Sequence, residues 1–241
     1  SKRTGLALLG LFLAMSGFFL FDAAYNGNFI SKSVAVQTRI TAHRGSSSGA
    51  PENTMAALEK AVEEMADRAE IDVQETADGV IVLCHDTSLK RVAGINKKVS
   101  DLTLEQIKKL DVGSWFSSEY QGEQIPTLEE VMEYAKGKID LNIEIKNLGN
   151  SSGLPEKVIE LVEKHEMQEQ CVITSTNRFY LKRVKAVNPE IRTGYIISAA
   201  YGNFYSDDFI DLISIRSSFV TERMIESAHE AGKAVHAWTV N

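Results

Sequence analysis

The chain has 241 residues, 44% of them apolar and 24% charged, enough to bury a sizeable core, which excludes wholesale disorder and disulfide-stapled miniature folds. Thirty-three acidic against 26 basic residues give a net charge of -7, which argues against a nucleic-acid partner held by phosphate contacts. Cys84 and Cys171 sit far apart in apolar runs without CxxC spacing and are expected as buried free thiols.

Residues 5–21 (GLALLGLFLAMSGFFLF) form a nearly unbroken apolar run after Lys2 and Arg3, closed by Asp22. As a helix such a run covers about 26 Å, close to the roughly 30 Å of a bilayer core, and predicts one transmembrane helix. No A-x-A pattern follows it, which favours a retained anchor over a cleaved signal. Lys2 and Arg3 suggest a cytoplasmic N-terminal flank and an extracytoplasmic globular part, a bias that Lys32 and Arg39 offset. The expected organisation is therefore a membrane segment and linker over 1–38 and a globular part over 39–241.

From residue 39 short β-branched runs alternate with amphipathic stretches, the pattern of βα units around a parallel sheet. Strands are predicted at 39–45, 69–74, 80–86, 139–146, 170–176, 192–198, 212–218 and 234–241, and helices at 53–66, 128–135, 155–165, 179–187 and 221–231. Eight strands suggest a TIM-type (β/α)8 barrel. The chain starts with Ser and stops at the end of the eighth strand, so it reads as part of a longer chain whose last covering helix is absent. Only residues 75–79 join the second and third strands, either as an extended crossover or as a hairpin turning at Asp78-Gly79. Residues 87–138, with Trp115, Phe116 and Tyr120, form an insertion expected to shape the substrate entrance.

The chemistry gathers at strand ends. Glu70 and Asp72 are two apart on one strand, hence on one face, and Glu144 with Lys146 repeats that relation on another. Three converging carboxylates raise one another's pKa, bind a hard divalent cation, or pair separately with basic groups on the rim. His43 and His85 close the first and third strands at the same barrel mouth, and two imidazoles facing three acids suit proton transfer. His165 is assigned to a helix C-terminus, His229 to a charged helix and His236 to the barrel interior.

The set AHRG (42–45), PENT (51–54), EIDVQETADG (70–79), HD (85–86), GSWF (113–116), IPTLEE (125–130), EIK (144–146) and WTVN (238–241) resembles the glycerophosphodiester phosphodiesterases over about 200 residues. The resemblance extends to members with an N-terminal membrane region. It implies a phospholipase-C-like TIM barrel that uses Ca²⁺ or Mg²⁺ to hydrolyse glycerophosphodiesters to glycerol 3-phosphate and an alcohol. Carried over by position, it makes Glu70, Asp72 and Glu144 metal ligands, His43 the proton acceptor and His85 the donor. Arg44 then offers a bidentate fork and Lys146 a point charge for phosphate oxygens, with rim salt bridges as the alternative. Trp238 is assigned either to a pocket for the glycerol carbons or to core packing, and Glu52 and Asn53 to loop shaping and helix capping. Cys84 before His85 departs from the family pattern. Water, or a neighbouring glycerol hydroxyl that forms a cyclic phosphate, serves equally as nucleophile. The alternatives are a phospholipase-like phosphodiesterase acting on intact lipid or lysolipid, and a non-catalytic glycerophosphodiester sensor.

Overall fold

A computed structural model describes residues 38–146, 153–197 and 204–240, and Arg39–Asn241 forms a compact unit. The predicted membrane span at 5–21 lies outside the described residues, and with it the membrane partner and the resemblance to members carrying a membrane region. Among the described residues no helix is long and apolar enough to cross a membrane.

The β-branched runs form eight strands: β1 Thr41–Ala42, β2 Arg68–Glu75, β3 Ile81–Leu83, β4 Asp140–Ile145, β5 Cys171–Ser175, β6 Arg192–Ile197, β7 Leu212–Arg216 and β8 Ala234–Trp238. They make one sheet in the order β1-β2-β4-β5-β6-β7-β8, with every neighbour along that path parallel. The parallel sheet is TIM-barrel-like. The (β/α)8 expectation holds in part, since β3 pairs antiparallel with β2 and the link left open between crossover and hairpin is a hairpin. Five residues cannot hold a crossover helix, and local bonds close them as a hairpin. The Thr76 hydroxyl donates to Asp78 Oδ1 at 2.6 Å and accepts from the Val80 amide at 2.9 Å, while Gly79 takes the left-handed φ of +84°. Along the path the ladders run from β1 to β8. Across the gap His236 Nε2 lies 3.0 Å from Thr41 Oγ1.

The helices are α1 Met55–Glu63, α2 Lys90–Ala93, α3 Leu104–Ile107, α4 Leu128–Ala135, α5 Leu154–Lys164, α6 Arg178–Val187 and α7 Glu222–Glu230. Thr54, Thr127 and Thr221 cap α1, α4 and α7, and Glu130 completes a capping box with Thr127. Ala69, Ile71 and Val73 of β2 face the helices. With Leu141, Ile143 and Ile145 of β4 they pack against Leu58, Leu128, Val158 and Ile159, and this sheet-to-helix layer is the main core. Each such buried Leu or Ile contributes about 1.5–3 kcal/mol. Period two sends the alternate residues Glu70, Asp72, Gln74, Asn142 and Glu144 to the barrel interior, which is therefore polar. There the Thr174 hydroxyl donates to Asn142 Oδ1 at 2.9 Å. The insertion between β3 and β4 builds its own cluster around Leu89, Val99, Ile107, Val112 and Ile125, and Tyr120 ties it to the loop after β1 through a 2.9 Å bond to the Gly49 carbonyl.

Candidate active site

The site forms at the carboxyl ends of β1, β2, β3 and β4. Register places Asp72 directly opposite Glu144, and Glu70 opposite Asn142. Side chains two apart on β2 and level across β4 thus converge without any special loop. Oxygens of Glu70, Asp72 and Glu144 lie within 4.8 Å of one another, a span that a hard cation bridges with bonds of about 2.0–2.6 Å.

Burial comes first in raising Glu70, with the charges of Asp72 and Glu144 adding to it, so this carboxyl sits well above the usual range. Burial and Asp72 also raise Glu144, against the pull of Lys146. Asp72 Oδ1 is buried without a hydrogen-bond partner, and Lys146 Nζ stands 3.3 Å from it as an ion pair outside hydrogen-bond alignment. A crowded acid cluster with an orphaned carboxylate oxygen fits an oxygen-seeking divalent ion. Lys146 donates to Glu144 Oε1 at 2.7 Å, so it serves the acid cluster as a salt bridge as well as facing the mouth.

Beyond Ala42 the chain turns sharply. Arg44 and Gly45 both adopt positive φ, +53° and +73°, and end β1 four residues into the predicted strand 39–45. A Cβ on Gly45 would sit 2.7 Å from the Ala57 Cβ, so α1 packs here directly on backbone. The turn aims the Arg44 amide at Glu70 Oε2, 2.8 Å away, and leaves His43 Nε2 3.9 Å from the same oxygen. Burial, then the Arg44 charge, hold the His43 pKa below its ordinary value of 6.5. Arg44 Nη1 donates to Glu52 Oε1 at 2.9 Å and its Nε lies 3.6 Å from Asp72 Oδ2. His85 lies two residues past β3, and its Nδ1 is 2.8 Å from Asp86 Oδ1.

Glu70, Asp72, Glu144, His43, His85, Arg44 and Lys146 therefore surround one mouth. Trp238 ends β8 at the rim, where Arg216 lies over its ring at 5.7 Å. Its ring is half-buried, with the indole Nε1 enclosed and without a hydrogen-bond partner. His165 caps the end of α5, His229 lies in α7, and burial pushes the interior His236 down to about 4. Both thiols are buried and free, pushed up to about 12 by burial.

Sequence reasoning undervalued Glu52, Asn53, Asp86 and Arg91. The α1 cap is Thr54, not Asn53. Asn53, at φ +56°, instead donates to Asp72 Oδ2 at 2.8 Å and accepts from the Asp72 amide at 2.9 Å. Arg91 binds Asp86 and both oxygens of Glu52. The available signal was adjacency, since Asp86 follows His85 and Asn53 follows Glu52 inside quoted motifs.

The model of the glycerophosphoryl diester phosphodiesterase family matches residues 43–241, which include every group just described. The chain belongs to that family. It is accordingly an enzyme of the phosphoric diester hydrolase class. A glycerophosphodiester phosphodiesterase of Caldanaerobacter subterraneus is 35% identical over 211 residues, covering 86% of this chain and 87% of that one. One of Bacillus subtilis is 30% identical over 263 residues, covering 100% of this chain and 89% of that one. Among solved structures, an Oleispira antarctica phosphodiesterase in complex with the product sn-glycerol-3-phosphate superposes with a TM-score of 0.80 at 34% identity, covering 85% of each chain.

Proposed function

We propose that this phosphodiesterase hydrolyses glycerophosphodiesters to glycerol 3-phosphate and an alcohol. Glu70, Asp72 and Glu144 hold a divalent cation, Ca²⁺ or Mg²⁺, and His43 and His85 move the protons. The observation that carries this reading is the convergence of three carboxylates within 4.8 Å beside both imidazoles at one mouth. The product bound in the Oleispira relative supports the substrate class. Once bound, the cation supplies positive charge to the phosphoryl oxygens in an acidic pocket.

The Arg44 fork offers further charge to those oxygens, its Nη1 held by Glu52 while its Nε stands 3.6 Å from Asp72 Oδ2. His43, beside Arg44 and Glu70, takes the proton of the attacking O–H as the new P–O bond forms, whether from water directly or from the neighbouring glycerol hydroxyl, whose cyclic phosphate water then opens. His85, fixed through Nδ1 by Asp86, gives its Nε2 proton to the leaving alkoxide as the old P–O bond breaks. Trp238 walls the glycerol carbons.

The test is glycerol 3-phosphate release from glycerophosphocholine. His43→Ala and His85→Ala should each lower kcat by about 10²–10⁴, the range for a positioned acid or base, with folding retained. His165→Ala and His229→Ala should match wild type. Small, equal effects at all four positions would remove the assignment of the proton carriers.

A further inference from the structure

Arg91, in the short helix α2, contacts neither the acid cluster nor the histidines, yet its guanidinium joins the two arms of the mouth. Its Nε donates to Asp86 Oδ2 at 2.7 Å, its Nη1 to Glu52 Oε2 at 2.9 Å and its Nη2 to Glu52 Oε1 at 2.6 Å. Asp86 turns its other oxygen to the site, and Glu52 Oε1 is shared between Arg91 and Arg44. Asp86 Oδ1 holds His85 Nδ1 at 2.8 Å, and Glu52 Oε1 accepts from Arg44 Nη1 at 2.9 Å. An unbroken chain thus runs from His85 through Asp86, Arg91 and Glu52 to Arg44. Three donors fixed in one plane satisfy two carboxylates from different loops, which a lysine ammonium on a flexible stem does not reproduce.

The charge states agree with a strong clamp. Arg91 first, and then His85, hold Asp86 down to about 2. Burial works to raise Glu52, but the hydrogen bond from Arg91 and the charge of Arg44 keep it below the usual carboxylate range. Arg91 also lies 5.3 Å over the Trp115 ring, which braces it against another part of the same insertion.

We propose that Arg91 is the positioning residue of the reaction, setting the proton-donating face of His85 and the phosphate-facing fork of Arg44 in one fixed relation. The inference rests on the roles of His85 and Arg44 proposed above. Removing Arg91 frees Asp86 to rotate, which loosens His85 and lowers kcat. It also leaves Arg44 as the sole partner of Glu52, which draws the fork off the phosphate and raises KM.

The experiment measures kcat and KM on glycerophosphocholine for Arg91→Ala and Arg91→Lys, alone and combined with His85→Ala or Arg44→Met. Arg91→Ala should lower kcat about 10–100-fold and raise KM about fivefold, the scale of a misplaced catalytic group. Arg91→Lys should remain impaired, and guanidinium chloride at about 20 mM should restore part of the kcat of Arg91→Ala while leaving wild type unchanged. The kcat loss should vanish in the His85→Ala background, and the KM change in the Arg44→Met background. If Arg91→Ala does not fold, Arg91→Lys carries the same cycles. Full additivity in both backgrounds, or wild-type kcat and KM in Arg91→Ala where His85→Ala is inactive, overturns the inference alone. Wild-type kcat in His85→Ala overturns the proton-donor reading and the inference with it.

Discussion

Replacing Asn53 by Ala removes two buried hydrogen bonds to one residue, from its amide to Asp72 Oδ2 and from the Asp72 amide to its carbonyl. The first is assisted by the carboxylate charge and contributes about 1.5–3 kcal/mol, the second about 1 kcal/mol. Asn53 also holds φ at +56°, which asparagine tolerates and alanine resists by about 1 kcal/mol. Asp72 is fully buried, so water does not replace the lost partners. Together these effects cost about 4 kcal/mol. For a domain of this size, where 1 kcal/mol moves Tm by about 2–4 °C, the melting point should drop by about 8–16 °C. The assay is thermal unfolding followed by circular dichroism in excess chelator, so that ion binding does not mask the loss. Asn53→Gly should fall less far, because glycine adopts the backbone without strain. A drop of 2 °C or less in Asn53→Ala would show that Asp72 is held by other groups and would refute the assignment of Asn53 as its anchor.

Burial lowers His236 from its ordinary 6.5 to about 4, so between those pH values the unfolded chain binds the extra proton and the folded chain does not. Folding stability should therefore decline as pH falls below 6.5, by about 2 kcal/mol at pH 5, and urea midpoints should show a shallower decline in His236→Gln. Because the family match begins at residue 43 and Arg39–Asn241 is a compact unit, deletion of residues 1–38 should leave kcat on a water-soluble glycerophosphodiester within about twofold of the parent chain. Loss of activity in a truncated chain that keeps its circular dichroism spectrum would show that the N-terminal residues help build the site.

Much of the site was legible because it depends on strand periodicity. Glu70 and Asp72 share a face by period two alone, and their meeting with Glu144 needs only parallel neighbours in register. What escaped the sequence depends on contacts between distant segments. Nothing in the string says that Asn53 reaches Asp72, nineteen positions away, or that Arg91 reaches Glu52, thirty-nine away. The hairpin at β3 stayed open because a five-residue link permits two geometries, and side-chain bonds from Thr76 and Asp78 decide between them. β1 was read too long, since Arg44 looks like a strand residue until its positive φ turns the chain toward Glu70.

The central claim is that Glu70, Asp72 and Glu144 hold a divalent cation without which the diester is not hydrolysed. The most direct test is glycerol 3-phosphate release from glycerophosphocholine after exhaustive chelation and after stepwise return of Ca²⁺ or Mg²⁺, with Asp72→Asn in parallel. Turnover should disappear in chelator and return on titration, and Asp72→Asn, which keeps the shape and loses the charge, should need a markedly higher concentration of ion. Full activity in excess chelator, with no metal found by elemental analysis, would contradict the account.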